Sequence, residues 1–250
     1  MSAALRTVGL GKTFGGFKAN SDVTLSFAAG ARHALIGPNG AGKTTFINLL
    51  TGVLPPTSGD VYLGDERITS LPQYARVKRG MTRTFQINTL FPGLTALESV
   101  VLACCEHNGR GGVWWRTAAA EHGAIDQAYG ILAQLKLDRD AATVTRELPY
   151  GKQRLLEIAL ALATRPKVLL LDEPAAGIPS AESAELFAVI ASLPRDVTIV
   201  FIEHDMNLVF KFAERITVLV NGTVLVEGAP DEIAGDHRVR EVYLGEAEHA

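Results

Sequence analysis

The sequence predicts an α/β fold: a parallel sheet with helices around it, an antiparallel β subdomain toward the N-terminal end, and an inserted helical subdomain. Three observations predict it. Residues 168–171 and 198–202 are continuous apolar runs, the pattern of strands covered on both faces of a parallel sheet. Residues 33–36 form a third short run, which leads through a glycine loop into a helical stretch at 45–50. Between about residues 96 and 137 the apolar residues recur at helical rather than alternating spacing. A chain of 250 residues suits one such domain with a helical insertion.

Taken in order, residues 4–30 alternate apolar and polar, with Gly15-Gly16 and Ala29-Gly30 as turn signals, and read as short antiparallel strands. Val61-Tyr62-Leu63 extends this β region, and Thr82 to Gln86 reads as a further strand ahead of a Pro92-Gly93 loop. Leu97, Val100, Val101 and Ala103 place one helix; Ile125, Ala128, Ile131, Leu132 and Leu135 place another. Asn108-Gly109-Arg110-Gly111-Gly112 between them reads as a flexible loop. Residues 155–164 read as an apolar helix that stops near Pro166. Farther on, residues 217–220 and 223–226 flank Asn221-Gly222, a strong two-residue hairpin signal. The expected organisation is a single domain over 4–245. Its core and β subdomain take about 4–95 and 145–228, its helical subdomain about 96–164 and a helical tail about 229–250.

Composition narrows the class. With 24 Lys+Arg against 27 Asp+Glu the net charge is −3, which gives no electrostatic case for a nucleic-acid partner. The only two cysteines, Cys104 and Cys105, are adjacent. They have no metal-ligand spacing and read as small residues of a reduced protein. The N-terminal residues lack the apolar core of a signal peptide, and no apolar run approaches the roughly 18 residues of a membrane span.

The chemistry centres on Gly37-Pro38-Asn39-Gly40-Ala41-Gly42-Lys43-Thr44-Thr45, which fits G-x-x-x-x-G-K-[ST] in the strand–loop–helix context that gives the pattern meaning. Such a loop brings backbone N–H groups and a helix N-terminus to a phosphate group. Asn39, Gly40, Ala41, Gly42 and Thr45 would form the cradle. Lys43 would add its charge near the β- and γ-phosphates, and the Thr44 hydroxyl would ligate Mg²⁺. Asp172-Glu173 follows the 168–171 run. Asp172 is placed to hold Mg²⁺, and Glu173 to polarise an attacking water. Gln86 ends a strand with a neutral amide suited to Mg²⁺ and water. His204 ends another, where it would sense the γ-phosphate.

The order of these elements, with Leu148-Pro149-Tyr150-Gly151-Lys152-Gln153 opening a helix between Gln86 and Asp172, resembles an ABC-type ATPase over almost the whole chain. The resemblance implies a P-loop NTPase fold that binds and hydrolyses ATP with Mg²⁺. It also implies that Phe14 stacks on the adenine, and that Pro149, Tyr150, Gly151 and Lys152 form a signature segment facing a partner's nucleotide. Arg83-Thr84-Phe85-Gln86, Glu157-Ile158-Ala159, Glu173-Pro174-Ala175-Ala176-Gly177 and Val242-Tyr243-Leu244-Gly245-Glu246-Ala247 are similar to the ATPase subunits of branched-chain amino acid importers. That branch implies two transmembrane permease subunits and a head-to-tail pair with a second ATPase subunit, either a paralogue or another copy. It further implies a solute-binding protein and a place on the cytoplasmic face of the inner membrane. Residues 88–94 are where a permease helix is expected to touch.

Two positions depart from the pattern. Pro149 replaces the signature serine, which removes a hydroxyl that would reach the partner's phosphate. Pro179 replaces the usual Asp or Asn of the loop after Glu173. A weakened but working site is expected. The rival readings are a soluble ABC ATPase acting on ribosomes or DNA, an export ATPase of the same fold, and a module that binds nucleotide without hydrolysing it.

Overall fold

The computed structural model describes residues 3–84, 90–108 and 122–247. These fall into two compact units: Met1–Arg83 with Lys167–Glu173 and Pro194–Ala250, and Thr84–Pro166 with Pro174–Leu193.

The first unit holds two sheets. Strands β1 (Ala3–Phe14), β2 (Phe17–Ala28), β4 (Ser58–Leu63) and β5 (Glu66–Arg67) form an antiparallel sheet in the order β2-β1-β4-β5. The strands β1 and β2 run 12 residues each, longer than the short strands expected. Register shifts between Thr7 and Leu10 and between Leu10 and Lys12 break the alternation, so one long bulged strand reads locally as several short ones.

The other sheet comprises β3 (Arg32–Ile36), β6 (Met81–Arg83), β7 (Val168–Asp172), β8 (Thr198–Ile202), β9 (Arg215–Val220) and β10 (Thr223–Gly228), in the order β10-β9-β3-β8-β7-β6. All its pairings are parallel except the β9–β10 hairpin. Every residue of β3, β7 and β8 is buried, which is why residues 34–36, 168–171 and 199–202 are unbroken apolar runs. At the hairpin turn Asn221 and Gly222 have φ of 49° and 76°, the paired positive values of a type I′ turn. The strand expected to reach Gln86 stops at Arg83, and Phe85 and Gln86 lie outside the described residues.

Helix α1 (Lys43–Thr51) ties the two sheets together. Its Phe46, Ile47, Leu49 and Leu50 share one core with Leu5, Val23, Phe27 and Val61 of the antiparallel sheet and Leu35, Leu170, Val200 and Ile202 of the parallel one. Each such side chain contributes about 1.5–3 kcal/mol on burial. Beside it the short α2 (Gln73–Lys78) delivers Arg76, whose side chain is wholly buried. Its guanidinium donates to the carbonyls of Leu49 and Leu50 at the end of α1, at 2.8 and 2.5 Å, and to those of Leu71 and Thr69 at 2.9 and 2.7 Å. A cation at a helix C-terminus also complements the helix dipole. Helices α7 (Met206–Phe212), α8 (Pro230–Gly235) and α9 (His237–Ala247) complete this unit.

His33 on β3 is 1% exposed and shares a 2.8 Å hydrogen bond with the Thr217 hydroxyl on β9. Burial, helped by the nearby Arg215 charge, pulls its pKa down from 6.5 to about 4. The unfolded chain therefore takes up this proton first. The neutral histidine leaves stability intact above pH 6.5, and stability falls as pH drops toward 4, by on the order of 3 kcal/mol once both states are protonated. Urea titrations at pH 7 and pH 4.5 should show a smaller loss for His33→Gln than for the wild type; equal losses would contradict this.

The second unit is helical: α3 (Ala96–His107), α4 (His122–Gln134), α5 (Tyr150–Ala163) and α6 (Ser180–Ser192). A capping box starts α3, with the Thr95 hydroxyl accepting from Glu98 N–H and the Glu98 carboxylate accepting from Thr95 N–H. Cys104 is buried in this helix, and burial pushes its thiol up to about 11, so it is not a reactive thiolate. Pro174–Leu193, which carries α6, groups with this unit rather than with the sheets. Most of the glycine-rich loop expected at 108–112 lies outside the described residues.

Candidate functional site

Lys43 begins α1, and the loop before it is shaped by backbone contacts. Gly42 is the N-cap with φ 93°, and a Cβ there would lie 2.4 Å from the carbonyl oxygen of Ala19. Gly37 has φ 153°, and a Cβ would lie 2.1 Å from the carbonyl oxygen of Leu219. Only glycine fits either place. The β9–β10 turn braces the loop: Gly222 N–H donates to the Ala41 carbonyl at 3.0 Å, and Ser21 N–H to the Gly222 carbonyl at 2.9 Å. Asn20 adds a bond from its amide to the Gly42 carbonyl at 3.3 Å.

No side chain caps α1, so the N–H groups of its first turn face the loop without an intrahelical acceptor. Lys43 is 7% exposed, and its ammonium folds back onto the carbonyls of Gly37 and Pro38 at 2.6 and 3.0 Å. A lysine at a helix N-terminus opposes the dipole, an arrangement that suits an anionic ligand.

A cavity of about 300 Å³ opens over this loop, walled by residues 39–45 with Phe17, Ala19, Glu173 and His204. Asn39, Gly40, Ala41, Gly42, Lys43, Thr44 and Thr45 all reach it. Phe14 is not among its walls. It stands opposite Phe17 across the β1–β2 turn, with the Lys12 ammonium 5.2 Å from its ring centre, and Phe17, 66% exposed, lines the cavity instead.

Glu173 follows β7 with φ 49°, held there by its N–H donating to the Ile202 carbonyl at 3.0 Å. Its Oε1 lies 2.8 Å from His204 Nε2. The histidine is framed on both sides, since the Glu203 carboxylate accepts from His204 N–H at 3.2 Å and Asp205 caps α7 through Asn207 N–H at 2.8 Å. Asp172 is almost fully buried and pairs with Arg83, which also donates to the Asn48 side chain at 2.6 Å. Gln86 lies outside the described residues. Among those residues no group of three or more His, Cys, Asp or Glu side chains could hold a metal alone. A divalent ion would take the hard oxygens of Thr44 and Asp172 together with oxygens of a bound phosphate.

In the helical unit, Pro149 is the N-cap of α5 and Pro179 the N-cap of α6, with φ of −53° and −57°. The Pro149 carbonyl still accepts from Gln153 N–H at 3.0 Å, and that of Pro179 from Ser183 N–H at 2.9 Å. Neither proline breaks its helix, because an N-cap owes the helix no N–H. The Tyr150 ring lies against Gly177 and under the Arg154 guanidinium, 5.1 Å away. The Lys152 ammonium is held by both carboxylate oxygens of Asp140 at 2.8 Å, a pairing the sequence reading did not foresee. Phe17, Asn20, Asn48 and Arg83 were likewise missed. Of these only Arg83 carried a signal, its place in Arg83-Thr84-Phe85-Gln86.

A braced glycine loop opening a helix at the C-terminal end of an inner strand of the parallel sheet, with an acidic strand end and a histidine beside it, defines a P-loop nucleotide-binding ATPase fold. A family model described as ABC transporter matches residues 20–176, and one described as branched-chain amino acid ATP-binding cassette transporter matches residues 223–249. The chain is 40% identical to the high-affinity branched-chain amino acid transport ATP-binding protein BraF of Pseudomonas aeruginosa, covering 97% of this chain and 98% of BraF. It is also 40% identical to LivG of Escherichia coli K12, which bears the same description, covering 99% and 100%. Its fold matches the crystal structure of the ADP conformation of an ATP-binding cassette of an ABC transporter, with a TM-score of 0.86 and 32% identity over 98% of this chain and 99% of the other. The chain belongs to the ABC transporter ATP-binding family, in the branch that holds BraF and LivG.

Proposed function

We propose that this chain is the ATP-hydrolysing subunit of a bacterial ABC importer that takes up branched-chain amino acids or a related small solute. The pairing of Glu173 with His204 over the phosphate loop carries the hydrolytic reading. The full-length similarity to BraF and LivG supports the solute class.

In this reading Gly40, Ala41, Gly42, Lys43 and Thr45 hold the phosphates, and Asn39 closes the loop. Phe14 and Phe17, paired at the tip of one hairpin, offer the adenine an aromatic surface. Thr44 and Asp172, with Gln86, hold Mg²⁺, which neutralises phosphate charge when bound. Glu173 accepts the proton of the attacking water, and His204 orients that carboxylate and meets the γ-phosphate. Pro149, Tyr150, Gly151 and Lys152 complete the nucleotide site of a partner subunit in a head-to-tail pair. The partner is a paralogue or a second copy, and the pair drives two permease subunits served by a solute-binding protein.

Among the described residues no helix is long and apolar enough to cross a membrane. In this reading the chain is a peripheral subunit at the cytoplasmic face of the inner membrane, as its likeness to BraF and LivG suggests. Phe91, 54% exposed in the segment expected to meet a permease, suits that contact. Uptake of labelled leucine, isoleucine, valine and a panel of small amides and aromatic acids tests the proposal. Deleting the chain should abolish uptake of at least one, restored by wild type and not by Lys43→Ala. Unchanged uptake of all of them would overturn it.

A further inference from the structure

Asp172 is a buried carboxylate at the end of β7, its side chain 3% exposed. Such a charge is tolerated only when a partner compensates it. Its partner is Arg83, which ends the adjacent parallel strand β6 and is itself only 10% exposed. Arg83 is in register with Leu170, and Leu170 and Asp172 point to the same face of β7, so the long side chain lies along that face to the carboxylate. The guanidinium fork then splits. One nitrogen takes Asp172 Oδ2, and the other donates to Asn48 Oδ1 on α1 at 2.6 Å. Asn48 stands four residues after Thr44, on the same face of that helix. One planar group therefore spans from the acidic strand end to the helix that carries the Thr44 hydroxyl.

We propose that Arg83 is a positioning residue that fixes the Asp172 carboxylate relative to Thr44 and so sets the geometry of the divalent-cation site. It also serves as the counter-cation of Asp172 when no divalent ion is bound. This rests on the assignment of Thr44 and Asp172 to Mg²⁺ made above. A lysine keeps the charge but has no fork, so it cannot hold both partners in plane. Arg83→Lys separates the bridging role from the charge, and Asn48→Ala cuts the bridge while leaving the ion pair.

Binding of a fluorescent ATP analogue to the purified transporter, titrated with Mg²⁺ and repeated in EDTA, tests the proposal without relying on turnover. In Arg83→Lys the Mg²⁺ concentration for half-maximal binding should rise about tenfold, with binding in EDTA unchanged. Asn48→Ala should shift it in the same direction by less, and carries the test if Arg83→Lys does not fold. Half-saturation within about twofold of wild type in the variants that fold would overturn the proposal. So would equal losses with and without Mg²⁺, the mark of a merely structural role. Asp172→Asn is the reference. If it shifts the Mg²⁺ titration and the Arg83 and Asn48 variants do not, the positioning role alone fails. If Asp172→Asn does not shift it, the metal assignment fails and takes this proposal with it.

Discussion

Glu173→Gln is expected to lower ATP turnover of the purified transporter by about 10²–10⁴-fold while ATP affinity stays within about twofold. Glutamine keeps the shape of the side chain and its ability to bond His204, but it cannot accept a proton. The backbone at Glu173 adds a reason to look here, because φ of 49° is a left-handed conformation that a non-glycine residue adopts at a cost of about 1–3 kcal/mol. That conformation is held by the bond from Glu173 N–H to the Ile202 carbonyl on the neighbouring strand. It aims the carboxylate at His204 and the cavity above the phosphate loop. Phosphate release and nucleotide binding measured on the same preparation decide the matter. Turnover within about threefold of wild type would remove Glu173 from the proton-accepting role.

Arg76→Met is expected to destabilise the protein by at least about 3 kcal/mol, a large share of the roughly 5–15 kcal/mol that holds a domain folded. Burial pulls the Arg76 guanidinium down to about 10, so it remains charged at neutral pH, and among the described residues its hydrogen bonds go to backbone carbonyls rather than to a carboxylate. Removing it strands the Leu50 carbonyl at the end of α1 and those of Leu71 and Thr69 in the loop between β5 and α2, and leaves the Leu49 carbonyl with the Gly52 N–H alone at 3.3 Å. Arg76→Lys keeps one charge and some of the bonds, and should cost less than the methionine. Urea unfolding of the three proteins tests this. A change below about 0.5 kcal/mol for Arg76→Met would show that the guanidinium is dispensable.

Elements whose signal lies in adjacent residues were legible in the sequence. The apolar runs of β7 and β8, the Asn221-Gly222 turn and the glycine loop before α1 each state their chemistry within a few residues. Strands β1 and β2 were legible in type but not in length, because bulges interrupt the period that marks a strand. β5 and α2 are too short, at 2 and 6 residues, for any period to show. The contacts of Arg76 and Arg83 were illegible for another reason. Arg76 reaches carbonyls as far as 27 residues away and Arg83 a carboxylate 89 residues away, and an arginine in sequence looks like a solvated charge. Phe14 was named on resemblance alone, and only the hairpin pairing shows that Phe17 sits at the same tip and walls the cavity. Lys152 shows the same limit, since its ion pair with Asp140 depends on the packing of α5 against the turn before it.

The central claim is that this chain works as the ATPase of a membrane importer. The most direct measurement is the composition and ATPase activity of what co-purifies with the tagged chain from detergent-solubilised native membranes. The account predicts two polytopic membrane proteins, a second ATP-binding subunit that is a paralogue or another copy, and ATP hydrolysis lost in Glu173→Gln. Ribosomal proteins or nucleic acid without any membrane protein would contradict it.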